Sequence, residues 1–403
     1  MSHLRLAILL GMTVALGPFA LDTYLPAFPR IAADLDVPLS DVGLTLSAYV
    51  AMMGAGQLVG GPLSDRYGRR VVLLSGLAIF GAASIMVAFA QTLDQMLAWR
   101  VVQALGGAWC AVSIPAIVRD RARGTEAARL FGLIGLVMFI APGTAPSIGS
   151  IVLAVSGWPW IFVLLAAYAL GLAALLHGLL FRSLPPRERI RTPLHTLLTN
   201  YLEVVRNGAA VRFVALQSLA FSVMLVFITH ASFIYQEWFG LSNTTFSALF
   251  AANIVGMAAV NLLNRRLLLS IHSTVILRAA VTIQATAVIA LAVLAFHDTS
   301  VYPVAGCVIV AVACMGAIAP NNIANALEFF PRLGGTAGAV LGATQFAFSG
   351  LVSGLSTTLA SNNLVPVMLT MAACSIAALA LALGAPRAMR RALAAEAPAA
   401  ERV

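Results

Sequence analysis

The 403-residue chain contains no lysine; all 24 of its basic side chains are arginine. A nucleotide-binding loop of the G-x-x-x-x-G-K-[ST] kind therefore cannot exist, and work done by the protein must draw on an ion gradient instead. Charge of either sign is scarce, 10% of residues against about 25% in a soluble domain, which excludes a soluble enzyme carried on a single anchor. Cysteine is limited to Cys110, Cys307, Cys314 and Cys374, each inside an apolar run, with no CxxC spacing and no His partner nearby. They read as small buried hydrophobes, so neither a metal nor a cofactor is expected. No apolar run carries a His/Asp/Glu cluster or a G-x-S-x-G, which argues against an intramembrane enzyme. The short alternating segments of an outer-membrane barrel are missing too.

What is present is hydrophobic length: 61% of residues are apolar and the mean hydropathy is +0.95. At about 20 residues per crossing, the pattern predicts an all-α membrane protein of twelve transmembrane helices, near residues 5–29, 41–63, 71–91, 94–118, 128–153 and 159–181, then 210–236, 244–267, 273–297, 301–326, 334–359 and 363–386. The first stretch runs apolar through Phe28, past any small-residue cleavage site, and reads as an uncleaved span. The longest polar segment, Arg182 to Ala209 with Pro185, Pro186 and Pro193, divides the spans six and six. The expected organisation is an N-terminal six-helix bundle (1–181), a linker (182–209), a C-terminal six-helix bundle (210–386) and a tail (387–403). Two parallel repeats with a central site between them are one way transporters are built.

The net charge of +9 follows from topology. With twelve spans, Arg5, Arg66, Arg69, Arg70, Arg119, Arg121, Arg123, Arg129, the linker arginines, Arg212, Arg265, Arg266, Arg278, Arg332 and the tail arginines share one face, and Arg30 alone marks the other. Asp34, Asp36, Asp41, Asp94, Glu237 and Asp298 lie on the Arg-poor face. The positive-inside rule makes both termini and the linker cytoplasmic, leaving no basic surplus for a nucleic acid.

Of 24 basic and 15 acidic side chains, only Asp22 and Arg100 fall well inside a span. A charge at that depth costs roughly 2.5 kcal/mol or more, so it is paired, faces a cavity, or works. Helical rise puts both in the half of the membrane toward the Arg-poor face. A carboxylic acid there holds a proton when desolvated, and an approaching guanidinium favours its release by stabilising the carboxylate, which would make Asp22 a proton site whose occupancy responds to geometry. The alternative is a fixed ion pair or polar lock between helices.

The segment Gly61-Pro62-Leu63-Ser64-Asp65-Arg66-Tyr67-Gly68-Arg69-Arg70 supplies glycines for a tight turn, a carboxylate for a helix end and arginines for headgroups. Its G-x-x-x-D-R-x-G-R-R pattern resembles the signature loop of the major facilitator superfamily at every fixed position. Leu21-Asp22-Thr23-Tyr24-Leu25-Pro26 and Arg100-Val101-Val102-Gln103-Ala104-Leu105-Gly106-Gly107 resemble the first- and fourth-span motifs of its twelve-span drug:proton antiporters, with Ala104 in place of one Gly. Ala141-Pro142-Gly143-Thr144-Ala145-Pro146-Ser147-Ile148-Gly149-Ser150 resembles the fifth-span antiporter motif in the form of the bicyclomycin-resistance-like (Bcr/CflA) group.

The resemblance implies the major facilitator fold, a proton or cationic-substrate role for Asp22, a relay role for Arg100 and gating by Gly61, Asp65, Arg66, Gly68 and Arg69. It also implies a hinge at Pro142, Gly143, Pro146 and Gly149. Tyr24, Met53, Gln103, Phe139, Phe227, His230, Tyr235, Asn322 and Gln345 are candidates for the cavity wall, although core packing and interhelical hydrogen bonds explain such residues as well. His230 and Glu237 are expected at a solvated mouth. The expected activity is proton-coupled efflux of small amphipathic drugs by alternating access, in a monomer of the bacterial cytoplasmic membrane. A metabolite exporter or importer of the same fold is the alternative, with a non-transporting sensor a distant third.

Overall fold

A computed structural model describes residues 3–121, 124–181, 194–297, 299–330, 334–360 and 363–384. Fifteen α-helices and no strand occur among them: α1 (His3–Asp22), α2 (Phe28–Leu35), α3 (Leu39–Tyr67), α4 (Arg69–Ala88), α5 (Leu93–Arg121), α6 (Gly124–Ser156), α7 (Pro159–Leu175), α8 (Leu194–Arg206), α9 (Gly208–Ser232), α10 (Asn243–Leu267), α11 (Ser273–Leu294), α12 (Val301–Ala313), α13 (Met315–Leu327), α14 (Gly334–Leu359) and α15 (Leu364–Leu383). Eleven of the described helical segments are long and apolar enough to cross a membrane, and α6 adds the shorter apolar stretch Ile140–Ser156. Only helices satisfy every backbone group within one segment in hydrocarbon, so this architecture follows from the composition.

Two departures from the sequence expectation matter for function. The first span is not one helix to residue 29. It breaks after Asp22, passes through a 3-10 turn at Leu25–Ala27 and resumes as α2. Pro26 and Pro29 supply no amide hydrogen to continue the ladder, so Asp22 sits at a helix end, where carbonyl and amide groups are loosened. The segment expected to be linker contains helix α8, and α9 already begins at Gly208. The remainder of that segment, 182–193, and the tail lie outside the described residues.

Helices α1 and α3–α7 pack on one another, chiefly α3 on α5, α4 on α5 and α7, and α1 on α6; α9–α15 form a second set, with α9 on α14 and α15, and α11 on α12, α13 and α15. Two lines of contact join the sets, α3 with α14 and α6 with α10. Lipid removes the hydrophobic drive between helices, so close approach of small residues must hold such seams. A Cβ on Gly54 would lie 2.5 Å from the Ala343 carbonyl, and one on Gly350 2.7 Å from Ala51 Cβ. The register is antiparallel, with Gly43 beside Thr357 and Gly54 beside Ala343 and Ala347. At the second seam the Ser150 and Ser247 hydroxyls share a 3.1 Å hydrogen bond and Gly143 faces Ile254. Both seams start at the helix ends of the Arg-poor face.

Candidate functional site

Arg100 on α5 is wholly buried, as is Tyr24 beside the α1 break. The Arg100 Nη1 donates to Gln103 Oε1 at 2.5 Å and Nη2 to the Tyr24 hydroxyl at 3.2 Å. Gln103, one helical turn from Arg100, donates in turn to Ser84 Oγ at 2.6 Å, and Ser84 donates to the Phe80 carbonyl. The Tyr24 and Thr45 hydroxyls lie 3.0 Å apart, and Thr45 donates to the Val42 carbonyl. The Arg100 guanidinium carbon lies 4.3 Å from the ring centre of Tyr49, 4.5 Å from that of Tyr24 and 5.8 Å from that of Phe162. The cation thus occupies an aromatic box without a carboxylate beside it.

That arrangement is energetically coherent. Desolvated cation–π contacts contribute about 2 kcal/mol each and hydrogen bonds to a charged group about 1.5–3 kcal/mol each. Two close rings and two good acceptors therefore offset a burial cost of a few kcal/mol without a counter-ion.

Asp22 is also buried, and its Oδ1 has no hydrogen-bond partner; nor does Arg100 Nε. The ion pairs recorded among the described residues are Arg30 with Asp34 and Arg69 with Asp120. Asp22 and Arg100 are not bonded to one another, so the fixed ion pair is not the arrangement present. An acceptor and a donor, each unsatisfied, stand in the same helix set.

Gly149 explains why Asp22 is held there. A side chain at this position would run into the Thr23 carbonyl, so the absence of a Cβ on α6 lets that helix seat the α1 break. Helix α6 continues through Pro142 and Pro146, and Gly143 faces Ile254 of α10. Of the four residues expected to form a hinge, Gly149 therefore meets the Asp22 segment and Gly143 the second seam.

In the signature segment, only Gly68 makes the turn: α3 runs to Tyr67, Gly68 has φ +94°, and α4 starts at Arg69. Gly61 and Arg66 sit within α3 and make no turn; Asp65 does too, but its side chain lies outside the described residues. Arg69 donates to Ser64 Oγ at 3.1 Å and pairs with Asp120 at 3.6 Å, tying the turn to the end of α5. Arg66 lies over the neighbouring Tyr67 ring.

The expected cavity residues are not one surface. Tyr24 and Gln103 belong to the Arg100 box. Phe227 and Tyr235 are buried in an aromatic cluster with Phe246 and Phe250. Asn322 donates to the Phe213 carbonyl, and Gln345 accepts from Gln217. Met53 is buried beside Gly17, while the Phe139 side chain lies outside the described residues. His230 is not at a solvated mouth. It is 2% exposed and bonded to Ser356 through Nε2 at 3.1 Å, because the face of α9 that carries it packs on α14. Glu237 is exposed there.

Sequence reading missed Tyr49, Thr45, Ser84 and Asp120. It also missed a polar stripe on α14. Ser349 meets Ser222, Ser353 meets both Thr229 of α9 and Ser47 of α3, and Ser356 meets His230. The spacing Gln345, Ser349, Ser353, Ser356 repeats at about one helical turn, which is a usable signal.

The Major Facilitator Superfamily profile matches residues 10–357. The chain belongs to the major facilitator superfamily. Among curated relatives, a bicyclomycin resistance protein homolog of Haemophilus influenzae is 29% identical over 91% of this chain and 92% of its own length. The multidrug resistance protein MdtL of Escherichia coli is 28% identical over 91% of this chain and 92% of its own. A solved D-xylose-proton symporter superposes with a TM-score of 0.76 at 16% identity, covering 94% of this chain and 97% of that one, and so shares the fold. The superfamily fold accounts for the two helix sets and their seams, and identifies a multi-pass membrane transporter.

Proposed function

We propose that this chain exports small amphipathic drugs from the bacterial cytoplasm in exchange for protons. The observation that carries the reading is the pair of buried ionisable groups, Asp22 and Arg100, held apart with unsatisfied polar atoms. A carrier needs a site whose proton occupancy changes with geometry, and a permanently satisfied pair would not provide it. The names of the relatives, bicyclomycin resistance and multidrug resistance, support drugs as the cargo and export as the direction.

Both termini face the cytoplasm in this reading, and the two seams begin at the Arg-poor, outer face. A proton taken from outside resides on Asp22; an amphipathic drug entering from inside favours its release. The hinge residues on α6 transmit motion between Asp22 and α10, while Asp65 and the Gly68 turn organise the cytoplasmic gate. One chain contains the whole pathway, so it works as a monomer in the bilayer, without cofactor, metal or bond-making chemistry.

The test is drug susceptibility of an efflux-deficient bacterium, with bicyclomycin, chloramphenicol, fluoroquinolones and lipophilic cations, followed by efflux in inverted vesicles. Resistance that disappears in Asp22→Asn is expected. Asp22→Asn vesicles that still couple drug movement to a proton gradient would remove Asp22 from the mechanism, and a well-expressed wild type that protects against no compound would turn the search to metabolites.

A further inference from the structure

We infer that Tyr49 is a positioning residue whose ring competes with the Asp22 carboxylate for the guanidinium of Arg100, and thereby sets how tightly Asp22 holds its proton. The inference deepens the proton-coupled reading above and rests on it.

Three observations lead there. Tyr49 offers the nearest aromatic face to Arg100, 4.3 Å from the guanidinium carbon to the ring centre. Its hydroxyl is buried with no hydrogen-bond partner, so what the site uses is the face of the ring. Third, Tyr49 lies on α3 between Ser47, which donates to Ser353 of α14 at 2.9 Å, and Ala51, which abuts Gly350 of α14. The ring that holds the cation is therefore mounted on the helix gripped at the seam. Arg100 itself is tethered on α5 by the Gln103 and Ser84 hydrogen bonds.

The competition involves few groups. Tyr24 and Tyr49 are the titratable side chains facing the guanidinium, with Cys110 of α5 within electrostatic reach of Tyr49. From α4 the site receives Ser84, from α7 Phe162, and from α6 Gly149 against Thr23. Asp22, at the end of α1 two residues before Tyr24, is the buried acid with an unsatisfied oxygen that can compete for the free Nε donor. When the Asp22 acid gives its proton to water, the carboxylate left behind can accept from Arg100 only as far as the rings release it. A weaker box makes that exchange easier; a firmer one keeps the proton in place. Movement of α3 against α14 changes the hold, linking the seam to the proton site.

The experiment is infrared difference spectroscopy on the full-length protein in lipid, following the carbonyl stretch of a protonated carboxyl that Asp22→Asn abolishes. Loss of one desolvated cation–π contact is worth about a thirtyfold change in an equilibrium. Tyr49→Leu, and Tyr49→Met as a closer match in length, should therefore lower the ratio of protonated to ionised Asp22 about thirtyfold, moving the pH at which the band is half lost down by about 1.5 units, while Tyr49→Phe keeps the wild-type midpoint. A merely structural role would reduce folded protein without moving this ratio. An unmoved midpoint of the Asp22 band in either folded ringless variant overturns the inference, as does a displaced midpoint in Tyr49→Phe. A wild-type protein with no Asp22 band at any pH overturns the proton site of the proposed function itself.

Discussion

Gly54 offers the sharpest handle on the conformational cycle. A Cβ there would stand 2.5 Å from the Ala343 carbonyl oxygen, where ordinary contact begins at 3.4 Å. Relief requires α3 and α14 to part by about 1 Å, since Ala347 N stands nearer still, and because the obstructing atoms are backbone, no rotamer change supplies it. Overpacking of this kind costs roughly 1–3 kcal/mol, charged only to conformations in which the seam is closed. Gly54→Ala should then reduce the closed population about 5- to 150-fold relative to seam-open states. The assay uses the Ser47 and Ser353 hydroxyls, 2.9 Å apart across the seam. Ser47→Cys with Ser353→Cys, in a background where the half-buried Cys307 is replaced by Ser, forms a disulfide under mild oxidant in proportion to seam closure. Gly354→Ala is the control, since its nearest neighbour, Ser47 Cβ, is 3.7 Å away. The cross-linking rate should fall at least fivefold in Gly54→Ala and stay within twofold of the parent in Gly354→Ala. Equal rates in the two variants would refute the claim that glycine contact holds this seam shut.

Two further substitutions separate turn strain from site geometry. Gly68→Ala meets no neighbour within 4 Å but forces a β-carbon into φ +94°, so a loss of about 1–3 kcal/mol should appear as a lower melting temperature in detergent. Gln103→Leu removes the acceptor of Arg100 Nη1 and the donor to Ser84, and at about 1–3 kcal/mol per orphaned group it should lower the melting temperature and abolish drug-driven proton release together; intact proton release would detach Gln103 from the site.

Much of the fold was legible because membrane insertion imposes a coarse rule: about 20 apolar residues per crossing, with arginines on one face. Asp22 and Arg100 stood out for the same reason, as charges in runs that otherwise carry none. The break after Asp22 was harder to read, because its signals, Pro26 and Pro29, sit just inside an otherwise continuous apolar stretch. Helix α8 was hidden in a segment whose prolines and charges dominate a linear reading. The aromatic box was out of reach for a different reason: Tyr24, Tyr49, Arg100 and Phe162 come from four separate segments, and nothing local in Tyr49 distinguishes it from an ordinary core tyrosine. His230 was misplaced because its depth along the span does not tell which side of the helix meets a neighbour, and its ring turns onto Ser356 of α14.

The box also bears on why a transporter would keep Arg100 away from its natural counter-ion. Removing one partner from a buried ion pair leaves an uncompensated charge and costs about 3–5 kcal/mol, so a fixed Asp22–Arg100 pair would resist reprotonation by a factor of hundreds or more. Aromatic faces at about 2 kcal/mol hold the cation with a strength comparable to a shift of one to two units in proton affinity, about 1.4 kcal/mol per unit. Two states separated by so little can be exchanged by binding a drug, whose differential affinity must supply only that difference. Because Tyr49 shares α3 with Ser47 and Gly54, the seam at the Arg-poor face and the ring beside Arg100 belong to one helix, so in the proposed cycle proton exchange and seam opening need no separate linkage.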